Sequence, residues 1–213
     1  IYLIAIVIII GGMTLHVLID LRKRYKELLD KPQVRRMDAN AVFQHSVLMI
    51  SFVVLVITGF ALRYSEAWIF KILFGWDGGF SVRGLIHRGA AVLLVFGSIW
   101  HLFYLRTANG RIFWKGMIPS REDFKHFGQM MMFNLGRSRK HPEFGRFGYV
   151  EKAEYWALVW GTVVMAITGF FLWFDNLAVQ VFPKGFLDVM LVIHFYEAWL
   201  ATLAIACLLY TSD

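Results

Sequence analysis

Five stretches of the chain are apolar on all sides rather than striped: Ile1–Ile19, Ala41–Leu62, Leu85–Leu105, Tyr155–Phe174 and Val189–Tyr210. A bilayer core needs about 20 apolar residues in a helix to cross it. Backbone polar groups in lipid are satisfied within a helix or a closed barrel. The pattern therefore predicts an all-α integral membrane bundle with five transmembrane helices. A soluble helix would keep one polar face, and these runs have none. Residues 1–38 read as an N-terminal transmembrane helix with a basic linker, and residues 39–213 as a four-helix core. Between the third and fourth runs, Pro119-Ser120 followed by Asp123 predicts a helix start. Phe124, Phe127, Met130 and Met131 would form the apolar face of a short interfacial helix there.

Charge adds orientation. Residues 20–38 hold seven Lys/Arg and residues 106–152 hold ten, against three in 63–84 and one in 175–186. The positive-inside rule then places the first and third connections in the cytoplasm and the N-terminus outside. The net charge of +7 reads as topology and contact with lipid headgroups, and nucleic acid is not an expected partner. Composition agrees, with 58% hydrophobic and 17% charged residues and a mean hydropathy of +0.57. Trp68, Trp76, Trp114 and Trp173 fall near the expected membrane boundaries. A single cysteine, Cys207, leaves no disulfide framework and no Cys-based metal site. Residue 1 is not Met and the last run ends in Thr211-Ser212-Asp213, so a fragment is expected at both ends.

The core runs carry an internal repeat. Ile57-Thr58-Gly59-Phe60 returns as Ile167-Thr168-Gly169-Phe170, and Ile86-His87 returns as Ile193-His194. The second and third runs thus look like a degenerate copy of the fourth and fifth. Four histidines lie within these runs: His45, His87, His101 and His194. Polar side chains in lipid are costly and turn to the bundle interior. His87 and His101 are 14 residues apart, which puts them on one helix face about 21 Å apart along the axis. Small residues, including Ala90, Ala91, Gly97 and Ser98, share that face, as a flat macrocycle would require. Helix direction then pairs His87 with His194 in the outer half and His45 with His101 in the inner half. Two axial imidazoles on one haem iron leave no open position, which suits electron transfer. Hydrogen bonding between helices, or a proton relay in a non-haem membrane anchor or transporter, is the competing use of these histidines and of Glu197. His126 and His141 lie in a loop and are expected to be solvated.

The chain resembles the membrane cytochrome b subunits of formate dehydrogenases (the gamma subunits) and of nickel-iron hydrogenases. The resemblance rests on His45 near the start of the first core helix and on Ile86-His87-Arg88 opening the second. Tyr155-Trp156 through Thr168-Gly169 and His194 complete it, over about residues 35–210. It implies a four-helix core in a prokaryotic cytoplasmic membrane holding two b haems. Such a subunit carries electrons between a periplasmic iron–sulfur or multihaem cytochrome c subunit and the quinone pool. The family's inner haem takes one ligand from the first core helix and one from the end of the last. The second of these falls near Leu208, so His101 stands as its substitute. No nucleophile–base pair, phosphate loop or paired-carboxylate site occurs, so the chain is expected to be an electron-transfer component rather than a stand-alone enzyme.

Two further sets of residues are singled out. Arg83 and Arg88 flank His87 and are placed to meet the haem propionates, since guanidinium and carboxylate form paired hydrogen bonds. A quinone needs an apolar slot and a proton-exchanging group. His16, Glu154 and Tyr155 offer one on the inner side, where the family keeps its quinone, and Glu197 offers one in the outer half.

Overall fold

The computed structural model describes residues 37–134, 137–138 and 143–211. The first apolar run, with His16, lies outside these residues, as does His141. Every regular element among the described residues is a helix. In chain order they are α1 (Ala39–Arg63), α2 (Trp68–Phe74), α3 (Gly79–Tyr104), α4 (Ala108–Met117), α5 (Arg121–Asn134), α6 (Tyr149–Trp173), α7 (Asp175–Val181) and α8 (Lys184–Thr211). Four of them, α1, α3, α6 and α8, are long and apolar enough to cross a membrane. They coincide with the four core runs of the sequence.

The helices begin earlier than the apolar runs do. α3 starts at Gly79 rather than Leu85, and α6 at Tyr149 rather than Tyr155. Hydropathy marks the stretch suited to lipid, whereas the hydrogen-bonded helix continues through polar residues to its cap. Gly78 stands at φ +77° before α3, a left-handed conformation that glycine adopts without a Cβ clash. At α1 the Asp38 carboxylate accepts from the Ala41 N–H at 2.7 Å, which satisfies one of the free donors of a helix start.

Two antiparallel pairs make up the bundle. α1 packs along α3, and α6 packs along α8. Small or short polar side chains line both seams: Ser51, Thr58, Ala61 and Ala90 in the first pair, Gly161 and Thr168 in the second. Small residues let helix backbones approach where lipid removes the hydrophobic drive for association. The two pairs meet mainly through large side chains, such as Phe60 on Trp199 with ring centroids 4.5 Å apart. Many large apolar side chains of the long helices are exposed, Leu85 at 71% and Trp160 at 67%. That surface belongs in hydrocarbon.

One end of the bundle carries α4 and α5. The Trp156 indole N–H donates to the Met117 carbonyl at 2.9 Å, and the Lys152 ammonium bonds both oxygens of Asp123 at 2.9 Å. Burial pushes the Asp123 carboxyl up, but hydrogen bonds from Lys152 and from Ser120 outweigh it and hold the group below the usual carboxylate range. α5 starts where Ser120 and Asp123 place it, with the Ser120 N–H donating to Asp123 at 2.6 Å. Phe124, Phe127 and Met131 form its exposed face, while Met130 is half-buried. The short helices α2 and α7 lie at the opposite end and have no counterpart in the sequence reading.

Candidate functional site

The repeat seen in the sequence is a repeat of contacts. Thr58 on α1 and Thr168 on α6 each occupy the buried seam of their pair. The Thr58 hydroxyl lies 2.6 Å from the Val54 carbonyl one turn back, and Thr168 lies 2.7 Å from Val164 in the same way. Each hydroxyl proton is therefore spent within its own helix. The oxygen remains as an acceptor, and a histidine meets it from the neighbouring helix. His87 Nδ1 is 2.8 Å from Thr58 Oγ1, and His194 Nδ1 is 2.8 Å from Thr168 Oγ1. An acceptor at Nδ1 assigns the proton there and leaves the Nε2 lone pair unprotonated, the arrangement a metal-binding imidazole needs.

The glycine after each threonine makes room for the same ring. A Cβ on Gly59 would lie 3.5 Å from His87 Cε1, and one on Gly169 would lie 3.3 Å from His194 Cε1. The first is ordinary contact and the second is tight. Gly59→Ala is therefore expected to leave the site unchanged, whereas Gly169→Ala displaces the His194 ring by a few tenths of an ångström. Absorption spectra of the two variants check this, with a changed spectrum expected from Gly169→Ala only.

His87 and His194 come from different helix pairs and face one another. Their ring centroids are 6.5 Å apart, with the planes at 62°. A metal–imidazole bond is about 2 Å long, and each Nε2 lies about 1 Å from its ring centre. Two imidazoles on one iron therefore have centroids about 6 Å apart. The spacing and the fixed tautomers fit a haem with two histidine ligands.

Of the two arginines, Arg83 is buried with 9% exposure and donates from Nη1 to the Thr58 carbonyl at 2.9 Å. Its Nε is buried without a partner, which suits an added carboxylate. Arg88 is exposed and stands over the Trp173 ring, 5.5 Å from its centroid.

His101 is met by Gln44 of α1 rather than by its neighbour His45, which is exposed. Gln44 Oε1 lies 2.8 Å from His101 Nδ1, and the Tyr155 hydroxyl lies 3.0 Å from His101 Nε2. Gln44 in turn donates to Asn40 Oδ1 at 2.6 Å. Both ring nitrogens of His101 are thus engaged by the protein. One residue along a helix is a rotation of 100°, and here it separates His45 from the face that meets His101. The side chain at position 208 lies outside the described residues.

Sequence reasoning did not single out Thr58, Thr168 or Gln44 as site residues. The repeated Thr-Gly was the available signal for the first two. Tyr155 stands at the α4 end of the bundle, where Phe113 touches both it and His101. Glu154 precedes it and is half-buried. The Glu197 carboxylate rests against the bare Cα of Gly161 near the middle of α6. His126 packs against Phe144 at 5.5 Å. Among the described residues, no cluster of three or more His, Cys, Asp or Glu is arranged to hold a metal ion by itself.

Comparison with known proteins gives concordant results. The cytochrome b556 subunit of formate dehydrogenase from Haemophilus influenzae is 22% identical over 175 residues, covering 82% of this chain and 68% of that protein. A family profile described as prokaryotic cytochrome b561 matches residues 36–211, which takes in all four long helices and both Thr–His pairs. This chain belongs to the prokaryotic cytochrome b561 family.

Proposed function

We propose that the chain is the membrane electron-transfer subunit of a respiratory oxidoreductase, with a haem b held between His87 and His194. The carrying observation is the facing pair of histidines, each fixed at Nδ1 by the threonine of its own half. A b haem with two imidazole ligands supplies one-electron exchange without an open coordination position. In this reading His87 and His194 would hold the haem iron through Nε2, Thr58 and Thr168 would keep the rings in their tautomer, and the four helices would exclude water. Membership of the family makes the protein a multi-pass membrane cytochrome of prokaryotes.

The relative from Haemophilus is a formate dehydrogenase subunit, which favours a redox partner carrying iron–sulfur clusters or several c haems. The charge distribution favours α4 and α5 on the cytoplasmic side, with the His87–His194 pair toward the periplasm and the partner. In the same reading a second haem lies at the inner end with His45 as one ligand. His101 remains in its clamp with Gln44 and Tyr155, so the other ligand comes from elsewhere. A reduced-minus-oxidised absorption spectrum of the purified chain tests the function. Sharp b-type bands are expected, and a flat spectrum would favour a non-haem anchor or proton-relay subunit.

Quinone is placed in this reading at the inner end, beside Tyr155 and Glu154, where electrons arriving from outside meet protons taken from the cytoplasm. Tyr155 offers a hydroxyl backed by His101, and a positioned proton-transfer group contributes about 100-fold or more to rate. Tyr155→Phe is therefore expected to lower quinone reduction in membranes by about that factor with haem content unchanged. Loss of activity in Glu197→Gln, with Tyr155→Phe and Glu154→Gln fully active, would move the quinone to the outer half.

A further inference from the structure

The two halves of the repeat differ in charge. The alignment that matches His87 to His194 matches Arg83 to Met190 and Arg88 to Phe195. Both cations thus belong to the first half. Arg83 is the unusual one. It is buried at 9% exposure, and no carboxylate among the described residues pairs with it. Nη1 is engaged by the Thr58 carbonyl while Nε has no partner. Taking a guanidinium out of water without an anion is costly, and it has five N–H groups to satisfy. Thr58 is also the residue whose hydroxyl holds His87. One threonine therefore joins the arginine to the imidazole.

We propose that Arg83 is the anion anchor of the site, taking one haem propionate, and that it places a single positive charge on the His87 side of the haem with no counterpart on the His194 side. The inference rests on the haem reading above. Nε and the remaining N–H groups meet the propionate oxygens, while Nη1 keeps the guanidinium on Thr58. A fixed positive charge near the iron disfavours the ferric form, because ferric iron carries one more positive charge. Arg83 thus raises the potential of this haem relative to a site built from two copies of the second half. Arg88 sits exposed on Trp173 and does not share the role.

The experiment is potentiometric titration of the full chain in membranes, as wild type, Arg83→Met and Arg83→Lys. Methionine is the residue that the second half tolerates at this place. The haem between His87 and His194 is identified as the one lost in His194→Ala. Arg83→Met is expected to shift its ferrous-to-ferric ratio at fixed ambient potential at least tenfold toward ferric, which is about 59 mV for one electron. Arg83→Lys keeps the charge and is expected to fall between. The same chains are also produced in haem-deficient cells supplied with haem b or with its dimethyl ester, which has no free carboxylates. With the ester, the charge of Arg83 still separates the potentials, but wild type and Arg83→Met are expected to retain the cofactor equally poorly in detergent washing, since neither can make the propionate contact. Wild type holding the ester as firmly as haem b would assign the anion to a lipid phosphate and overturn the propionate contact. An unchanged potential in Arg83→Met with haem b overturns the anchor itself. Should Arg83→Met lose the haem entirely, retention in Arg83→Lys with loss in ester-fed wild type supports the anchor, and the opposite pattern refutes it. A wild-type chain without b-type bands would be a failure of the haem reading, not of this assignment.

Discussion

Replacing His87 with alanine is expected to remove one haem per chain, and replacing His194 is expected to remove the same one. Each ring supplies one side of a shared site, and their centroids stand 6.5 Å apart across the gap between the helix pairs. Neither pair contains a second histidine placed to take over: His101 is engaged at both nitrogens, and His45 lies 13 residues before Thr58, toward the other end of α1. The double variant should therefore lose no more haem than either single one, which is the signature of one iron shared by two histidines. Haem per chain, measured chemically on purified protein, is the check. Additive loss of two haems would show that the histidines serve different sites. Neither substitution should unfold the chain. An interhelical hydrogen bond in a membrane contributes only about 0.6 kcal/mol on average, and the helices keep their seams of small residues.

The second large effect is expected one layer out. Thr58→Val and Thr168→Val preserve shape and remove the acceptor at Nδ1. Outer partners of metal-binding histidines commonly account for about 10–100-fold in affinity, so each variant should hold haem that much more weakly. The acceptor also makes the imidazole a stronger donor to iron and so favours the ferric form. Its removal should raise the potential, opposite in sign to the loss of Arg83. Serine at either position restores an oxygen and should restore both properties. Haem retention during detergent washing and redox titration measure the two effects. Equal behaviour of valine and threonine in both assays would remove the hydroxyls from the site.

How much of this was legible in the sequence differs from one feature to the next, for physical reasons. The four core spans follow from hydropathy because lipid leaves the backbone little choice. The meeting of His87 with His194 follows from helix direction and from the repeated Ile-His. The repeated Ile-Thr-Gly-Phe was visible, but its use was not, because whether a threonine turns into a seam depends on which neighbour its helix packs against. Depth arithmetic put His45 level with His101 and could not see the rotation that presents Gln44 instead. Arg83 read as one of two equivalent partners for the haem propionates. Only packing separates it from Arg88, since it is drawn inward by the Thr58 carbonyl. The short helices α2 and α7 are seven residues each, too brief for periodicity to mark against the apolar spans beside them.

The division into two helix pairs has a consequence for biosynthesis. α1 and α3 can enter the membrane and associate while α6 and α8 are still untranslated. At about 5–20 residues per second, the 107 residues from His87 to His194 take about 5–20 s to make. During that interval His87 sits in a finished hairpin with half a binding site. With the proposed haem, capture therefore waits for α8, and a ribosome that stops before α6 would leave an inserted hairpin that presents His87 alone. Because the haem would bridge halves that otherwise touch mainly through large side chains such as Phe60 and Trp199, its arrival also selects the fully made protein. Cells short of haem should accumulate both halves in the membrane with the gap between His87 and His194 unbridged.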